Sequence, residues 1–193
     1  YLIKTDASGN LTWQKAFGGV GDQYGYSVQP TGDGGFIITG STYSFGASSY
    51  DVYLVKTNAS GDINWQKTFG GPNVDSGNSV QPTADGGYII TGSTSSVGAG
   101  DVDVYIIKTD ASGNMTWQKN FGGPNTDVGL SVQTTADGGY IIAGLGDAYL
   151  IKTDASGNMT WQKNFGGGSG RSVQQTADGG YIIAGYTYSF GAG

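Results

Sequence analysis

The sequence predicts an all-β protein in which one structural unit is repeated along the chain. The first observation is a motif of twelve residues, Lys-Thr-Asp-Ala-Ser-Gly-Asn-Leu-Thr-Trp-Gln-Lys at 4–15, which returns almost unchanged at 56–67, 108–119 and 152–163. The second is Asp-Gly-Gly followed by Phe or Tyr and two isoleucines, which stands between successive copies. The third is the spacing of the tryptophans, 52, 52 and then 44 residues, a period typical of repeat architectures.

Each unit contains four segments with the features of short β-strands, which we name A to D. Strand A is an apolar, β-branched run that follows a turn, and strand C alternates apolar and polar residues with period two. A hairpin turn joins B to C, and Gly61 supplies the positive φ that this turn needs. In the second unit the predicted strands are A at 35–42, B at 51–57, C at 63–69 and D at 78–81.

Four antiparallel strands repeated every 40–50 residues are the pattern of a β-propeller blade. We expect strand A beside the central axis, strand D at the outer edge and the aromatic residues between neighbouring blades. The chain begins with strands B, C and D and ends with a lone strand A, so these ends are predicted to join in one composite blade. The prediction is a single domain, 1–193, with four blades at about 35–82, 87–134, 139–175, and 180–193 plus 1–30. The alternative is a piece of a longer array of six to eight blades.

Composition excludes several classes of function. The net charge is −6 and eight of the nine basic residues are the repeated lysines, so no basic patch for nucleic acid is expected. Cysteine and histidine are absent, Arg171 is the single arginine, and no apolar run is long enough to span a membrane. We therefore predict a non-enzymatic protein without catalytic residues or cofactor. Because the chain opens at Tyr1 inside a motif, it is interpreted as processed or truncated.

The aspartates are predicted to form turns and not to bind metal. Asp101 and Asp103 lie close together in one connector and are the better candidates for a metal site, but we predict none. The repeated lysines, Lys4 and Lys15 and their copies, could form a ring for an anion; we expect them instead to pair with turn aspartates. The turn residues are Asp6, Asn58, Asp110 and Asp154 in the B–C hairpins, and Asp33, Asp85, Asp137 and Asp178 in the Asp-Gly-Gly turns.

Two groups of surface residues are candidate sites. N-glycosylation triplets occur once in every B–C hairpin, and their acceptors are Asn10, Asn58, Asn114 and Asn158. Aromatic residues in the connectors are candidates for a binding surface, although they could instead pack over the sheet edges. They are Tyr43, Phe45, Tyr50, Tyr186, Tyr188 and Phe190, with Tyr24 and Tyr26 nearby.

The repeats resemble those of uncharacterised propeller proteins from the surfaces of bacteria and archaea. The resemblance rests on Asp-Gly-Gly-Tyr-Ile-Ile-Ala-Gly and on Lys-Thr-Asp-Ala-Ser-Gly-Asn-x-Thr-Trp-Gln-Lys, and it covers all four units. A weaker likeness is to the tryptophan-docking repeat of quinoprotein dehydrogenases, because Ser8-Gly9 stands at that spacing before Trp13. Sialidase Asp-boxes are similar too, but Gly9 is one position away from their pattern. The main resemblance implies placement outside the cell.

We predict a structural or interaction module at a prokaryotic cell surface, such as a subunit of a filament, sheath or surface layer with a role in adhesion. Its expected partners are further copies, other surface proteins or glycans. One alternative is a carbohydrate- or protein-binding propeller of lectin type that uses the aromatic connectors. Another is an enzyme of the quinoprotein or glycosidase type.

Overall fold

A computed structural model describes residues 1–46, 49–146 and 149–188 of the chain. In these residues all regular structure is β, with sixteen strands and no helix. The strands are β1 (Leu2–Thr5), β2 (Leu11–Lys15), β3 (Gln23–Pro30), β4 (Phe36–Thr42), β5 (Asp51–Thr57), β6 (Ile63–Phe69), β7 (Asp75–Pro82), β8 (Tyr88–Thr94), β9 (Asp103–Thr109), β10 (Met115–Phe121), β11 (Val128–Thr134), β12 (Tyr140–Leu145), β13 (Tyr149–Thr153), β14 (Met159–Lys163), β15 (Gly168–Gln175) and β16 (Tyr181–Thr187).

Three antiparallel sheets of four strands follow one another along the chain. They consist of β3 to β6, β7 to β10 and β11 to β14, and neighbouring strands in each sheet are also neighbours in sequence. A two-stranded sheet, β1 with β2, precedes them, and β15 pairs with β16 after them. One further pairing, between Leu145 and Ser169, joins β12 to β15, so the four strands β11 to β14 are part of one six-stranded sheet with β15 and β16. The all-β, antiparallel architecture is as predicted.

The grouping of the strands differs from the prediction, because each sheet begins with strand D. β7 pairs with the following β8, whereas we expected a D strand to lie at the outer edge beside the preceding strand C. The reason is local: D and A are joined by a tight turn, in which Thr83 N donates to Gly87 O at 2.9 Å. The longer segment between C and D carries the chain to the next sheet. The sheets therefore span 23–69, 75–121 and 128–163.

The predicted composite blade is not formed. Among the described strands, β1 pairs with β2, β16 pairs with β15, and no pairing connects β16 with β1. β3, which we expected in the composite blade, pairs with β4 and begins the first complete sheet. The hairpin turn at 31–35 accounts for this, since Thr31 N donates to Gly35 O at 2.9 Å and commits β3 to the strand that follows it.

The hydrophobic core lies between successive sheets. Ile37 and Leu54 of the first sheet pack with Val80 and Ile90 of the second. The second sheet packs in the same way against the third. The D strands form a row, in which β3 packs on β7, β7 on β11 and β11 on β15. Each sheet thus removes the apolar face of its neighbour from water, which is the main source of stability in such arrays.

The tryptophan of each strand C connects its unit to the next one, as predicted for the aromatic residues. Its ring contacts the aromatic residue that opens the following strand A, and the ring centroids are 5.8 or 5.9 Å apart at every junction. The four pairs are Trp13–Phe36, Trp65–Tyr88, Trp117–Tyr140 and Trp161–Tyr181. The hairpin β1–β2 therefore packs on the first sheet as each complete sheet packs on its successor.

Candidate functional site

Three lysines, one in each group of four strands, are buried, and each is neutralised by an aspartate. Each lies near the end of a strand B, and its Nζ donates both to the aspartate of the D–A turn in the same sheet and to the carbonyl of the next residue, a threonine. The ion pairs are Lys56–Asp33 at 2.7 Å, Lys108–Asp85 at 2.7 Å and Lys152–Asp137 at 2.8 Å. The hydrogen bond from the lysine lowers the pKa of Asp85 to about 2, and the pKa values of Asp33 and Asp137 also lie well below their usual range.

These ion pairs decide between the two interpretations for the lysines that form them. The buried ammonium groups are occupied by turn aspartates, so they do not form a ring of free cations. Lys15, at the surface, bonds to Asp62 of the next hairpin at 2.8 Å. The three buried lysines are therefore not available to an anionic quinone cofactor.

The aspartates of the B–C hairpins form turns, as predicted. Oδ1 of Asp6 accepts hydrogen bonds from the backbone N of Ser8 and Asn10, both at 2.9 Å, and the equivalent residues repeat this arrangement. Asp101 and Asp103 are not brought together as a site, since Asp101 is exposed and Asp103 is buried at the start of β9. Within the described ranges, no group of three or more acidic, histidine or cysteine side chains could hold a metal ion.

The glycosylation triplets lie on exposed hairpins. Asn10, Asn114 and Asn158 each donate a side-chain hydrogen bond to the aspartate that begins the turn, at 2.9 or 3.0 Å. In the second unit Asn58 takes the place of that aspartate, and its Oδ1 caps the turn. Glycan attachment at these asparagines stays a prediction.

The aromatic candidates form two separate clusters. Around the first connector, Tyr24 stacks on Tyr26 with ring centroids 6.2 Å apart, and Tyr50 contacts both Tyr24 and Tyr43. Phe45 contacts Tyr53 at 5.8 Å. At the other end of the row, Tyr186 contacts Tyr188 at 5.3 Å and receives the guanidinium of Arg171 over its ring. Phe190 lies outside the described residues. The structure does not join the two clusters into one surface.

The most exposed apolar strand is β16. Ile182 and Ile183 of β16 are 62% and 37% exposed, whereas the equivalent Ile141 and Ile142 of β12 are 0% and 1% exposed. The difference arises because β12 lies between β11 and β13, while β16 has β15 on one side and no strand on the other among the described residues. We call the unpaired side of residues 181–186 the open edge. The sequence does not reveal it, because it depends on which strands pair.

Two buried pairs of aspartates, Asp51 with Asp75 and Asp103 with Asp127, were not predicted from the sequence. Members of each pair come from neighbouring sheets and are separated by 24 residues in sequence. A signal that could have found them is that all four stand at equivalent positions in consecutive units, at the start of strand B or of strand D. Both pairs lie at junctions between sheets.

Antiparallel sheets of one repeated design, packed in succession through the same aromatic contact, define a propeller-type repeat protein. The chain belongs to the family described as outer membrane protein assembly factor BamB, whose family model matches residues 2–186. This match overturns the predicted function: a structural module of a filament, sheath or surface layer, with a lectin as the alternative, is wrong for a member of this family. The propeller-type repeat itself is confirmed.

A solved structure with a similar fold is that of a protein of unknown function from Bacteroides caccae. The two chains are 11% identical, with a TM-score of 0.62 over 92% of this chain and 58% of the other. At this identity the likeness concerns the fold alone, and this chain spans little more than half the length of that structure. No curated protein matches the chain. The described residues contain no helix that could cross a membrane.

Proposed function

We propose that this chain is a non-enzymatic, protein-binding scaffold of the bacterial outer membrane, and that it binds through the open edge of β16. The description of its family as an outer membrane protein assembly factor supports the first part. The use of the buried lysines in structural ion pairs supports a scaffold over an enzyme. The exposure of the open edge is the observation that carries the proposal.

An exposed, apolar edge strand is a template for a further strand. Its free N–H and C=O groups can complete a ladder with another chain, and its side chains can be buried at the same time. In the three complete sheets, a strand B occupies this side of strand A. The open edge therefore fits a strand with the pattern of strand B, which is apolar with a lysine near its end.

The strand that fits is β1 of a second copy. In the complete sheets the second residue of strand A faces the lysine of strand B, as in the pairs Ile89–Lys108 and Ile141–Lys152. In the same register on β16, Ile182 faces Lys4 of β1. Lys4 then lies beside Asp178, just as Lys152 lies beside Asp137. Within the described residues, neither Lys4 nor Asp178 takes part in an ion pair.

The row of D strands favours a second copy over the hairpin of the same chain. β15 packs on β11 at one end of the row, and no comparable packing joins it to β3 within the described ranges. The hairpin β1–β2 is held against the first sheet, at the far end, through Trp13 and Phe36. Closure onto the chain's own hairpin would give the four-bladed ring, and this is the competing outcome.

Charge exchange between two variants tests the proposal. In sedimentation experiments on the wild type, we expect association that increases with protein concentration. Lys4→Glu and Asp178→Lys, each alone, are expected to weaken association about tenfold or more, since each places like charges together in a partly buried contact. An equimolar mixture of the two single variants should associate again, because the carboxylate introduced in one copy then meets the ammonium introduced in the other.

Comparing the mixture of single variants with the double variant distinguishes association of two copies from closure within one chain. If the wild type stays monomeric and only a chain with both substitutions regains wild-type stability, the sheet closes within one chain and the second copy is excluded. If charge reversal at both positions changes neither association nor stability, the open edge is not a binding surface. Lys119→Glu, the same charge change on β10 in the middle of the row, is the matched control and should leave association unchanged.

A further inference from the structure

Two pairs of aspartates are buried where successive sheets meet. Asp51 begins β5 of the first sheet and Asp75 begins β7 of the second, and they are 2% and 0% exposed. At the next junction, Asp103 begins β9 and Asp127 directly precedes β11, with 1% and 8% exposure. Burial of two carboxylates side by side is unfavourable unless something neutralises them.

The backbone brings the two carboxylates of each pair together. Oδ1 of Asp51 and Oδ2 of Asp75 lie 2.2 and 2.5 Å from the position that a Cβ would take on Gly70, so the two oxygens are within about 5 Å of each other. In addition, Asp75 N donates to Tyr50 O at 2.7 Å, which fastens the start of β7 to the residue before β5. The main chain of two sheets thus holds the two carboxylates around Gly70, where a side chain would collide with them.

The second junction repeats this geometry. Oδ1 of Asp103 and Oδ2 of Asp127 lie 2.1 and 2.9 Å from the Cβ position of Gly122, again within about 5 Å of each other. Asp127 N donates to Val102 O at 2.8 Å. The recurrence of this arrangement in two repeats indicates that the repeated fold places the carboxylates together.

One oxygen in each pair has no hydrogen-bond partner. Oδ2 of Asp75, the oxygen that lies near Asp51, accepts bonds from Gly71 N at 2.8 Å and Ser96 Oγ at 2.7 Å, and its Oδ1 is buried without a partner. Oδ2 of Asp103 accepts from Gly100 N at 3.2 Å, whereas its Oδ1, on the side of Asp127, is likewise buried without one. A buried acceptor left unsatisfied is costly, so these oxygens are places for a ligand.

The buried lysines Lys56 and Lys108 are too far from the aspartate pairs to neutralise them. Lys56 lies five residues beyond Asp51 along β5, which corresponds to roughly 17 Å of extended strand. Its Nζ is bonded to Asp33 and to the carbonyl of Thr57. Lys108 stands in the same relation to Asp103 on β9. Each aspartate pair therefore lies at the end of the sheet opposite to the lysines.

We propose that each aspartate pair binds a hard divalent cation such as Ca²⁺, bridged by one carboxylate from each of two neighbouring sheets. Two oxygens that bind one Ca²⁺ at 2.3–2.6 Å are at most about 5 Å apart, and the oxygens of both pairs lie within this limit. Since each pair supplies two carboxylates, backbone carbonyls and water complete the shell. Such a low charge count corresponds to weak sites, with Kd on the order of 1 mM, as in extracellular calcium modules.

The other junctions between units lack a pair of aspartates, and this determines how many cations we expect each chain to bind. Asp75 and Asp127 stand at the start of their D strands. At the equivalent position, β3 has Gln23 and β15 has Gly168. The proposal therefore predicts two cations per chain, both in the interior of the row.

A tyrosine beside each pair provides a direct readout; Tyr105 is buried and Tyr149 is partly buried. Burial, then the carboxylates of Asp75 and Asp51, raises the pKa of Tyr105 to about 12. Burial and the carboxylates of Asp127 and Asp103 raise the pKa of Tyr149 in the same way. We expect both rings to sensitise the luminescence of Tb³⁺, which replaces Ca²⁺ in oxygen sites.

Thermal unfolding of the full chain with Ca²⁺ is the first test. At 10 mM Ca²⁺, two sites with Kd near 1 mM together raise Tm by about 6–11 °C in a chain of this size. NaCl at the same ionic strength should not produce this shift. Asp75→Asn combined with Asp127→Asn is expected to abolish the shift and the tyrosine-sensitised Tb³⁺ emission. Asp154→Asn is the matched control, since Asn58 stands at the equivalent hairpin position, and it should retain both signals.

Three results would overturn the proposal. One is a Tm that rises equally with Ca²⁺ in the double variant, which would indicate binding elsewhere on this acidic chain. Another is a wild type whose Tm does not respond to Ca²⁺ and which gives no tyrosine-sensitised Tb³⁺ emission. If the double variant fails to fold, equilibrium dialysis of the wild type against Ca²⁺ decides, and a stoichiometry other than two contradicts the proposal.

Discussion

Alanine at Gly92 is expected to lower the free energy of unfolding by about 3–5 kcal/mol, among the largest effects that the structure predicts for one methyl group. A Cβ at Gly92 would lie 1.7 Å from the carbonyl oxygen of Ser76 in the neighbouring strand. This contact is with backbone and cannot be relieved by a rotamer change. β7 and β8 would have to separate at the point where their register shifts between Gly77 and Ser79. Chemical denaturation monitored by tryptophan fluorescence measures the loss.

Gly32→Ala is the matched control for this prediction. A Cβ at Gly32 meets nothing within 4 Å. Ala84 and Ala136 occupy the same place in the D–A turns of other units, so the substitution is compatible with this turn. We expect a change of no more than about 0.5 kcal/mol. Equal destabilisation by the two substitutions would show that β7 and β8 do not approach each other as described.

Asparagine at Asp85 is expected to lower the free energy of unfolding at pH 7 by roughly 2 kcal/mol. Lys108 is 5% exposed, and its Nζ is bonded to Asp85 at 2.7 Å and to the carbonyl of Thr109 at 2.9 Å. Without the carboxylate, a buried ammonium is left with one neutral partner, which costs about 3–5 kcal/mol in a fully buried pair. The side chain of Asp85 is 64% exposed, and solvent reduces the expected loss accordingly.

The same ion pair predicts a loss of stability in acid. Hydrogen bonds from Lys108 and Thr83 lower the pKa of Asp85 from 3.8 to about 2 in the folded chain. A carboxylate with a lowered pKa contributes stability above its unfolded pKa and loses that contribution as the pH falls through its folded pKa. The wild type should therefore lose stability between about pH 5 and pH 2, and Asp85→Asn should lose less over that range.

Asp178→Asn, measured at low protein concentration, is the matched control for both experiments. Asp178 occupies the same turn position and accepts hydrogen bonds from Thr176 and from Gly180 N, but no described lysine pairs with it. Its replacement is expected to have a smaller effect on stability and on acid sensitivity. If Asp178→Asn and Asp85→Asn are equally destabilising, the buried lysine is not the source of the effect.

The strands and their local contacts could be predicted well from the sequence. The tryptophan period, the apolar runs and the Asp-Gly-Gly turns predict strands that the structure contains, such as β8 and β9. The turn role of Asp6 and the pairing of lysines with turn aspartates were also predictable. These features depend on residues close in sequence or on one hydrophobic period, so local patterns carry them.

The grouping of strands into sheets could not be predicted in the same way. Strand D is short and polar, which suggests an outer edge, yet the hairpin at Thr83–Gly87 joins it to the following strand A. We predicted strand D as the last strand of its unit. The predicted sheets were therefore displaced by one strand along the chain, and the predicted composite blade is not formed. Periodicity specifies that strands repeat, but it does not specify where one sheet ends and the next begins.

The sequence by itself therefore determined an all-β repeat, the junction tryptophans and the neutralised lysines. The tertiary structure alone decided which strand stays unpaired and which carboxylates meet across a junction. β16 is exposed because no described strand covers its second edge, although its sequence is nearly that of the buried β12. Asp103 and Asp127 come together because two different sheets converge at Gly122. Both properties arise from packing between units, where residues far apart in sequence share one environment that no single repeat encodes.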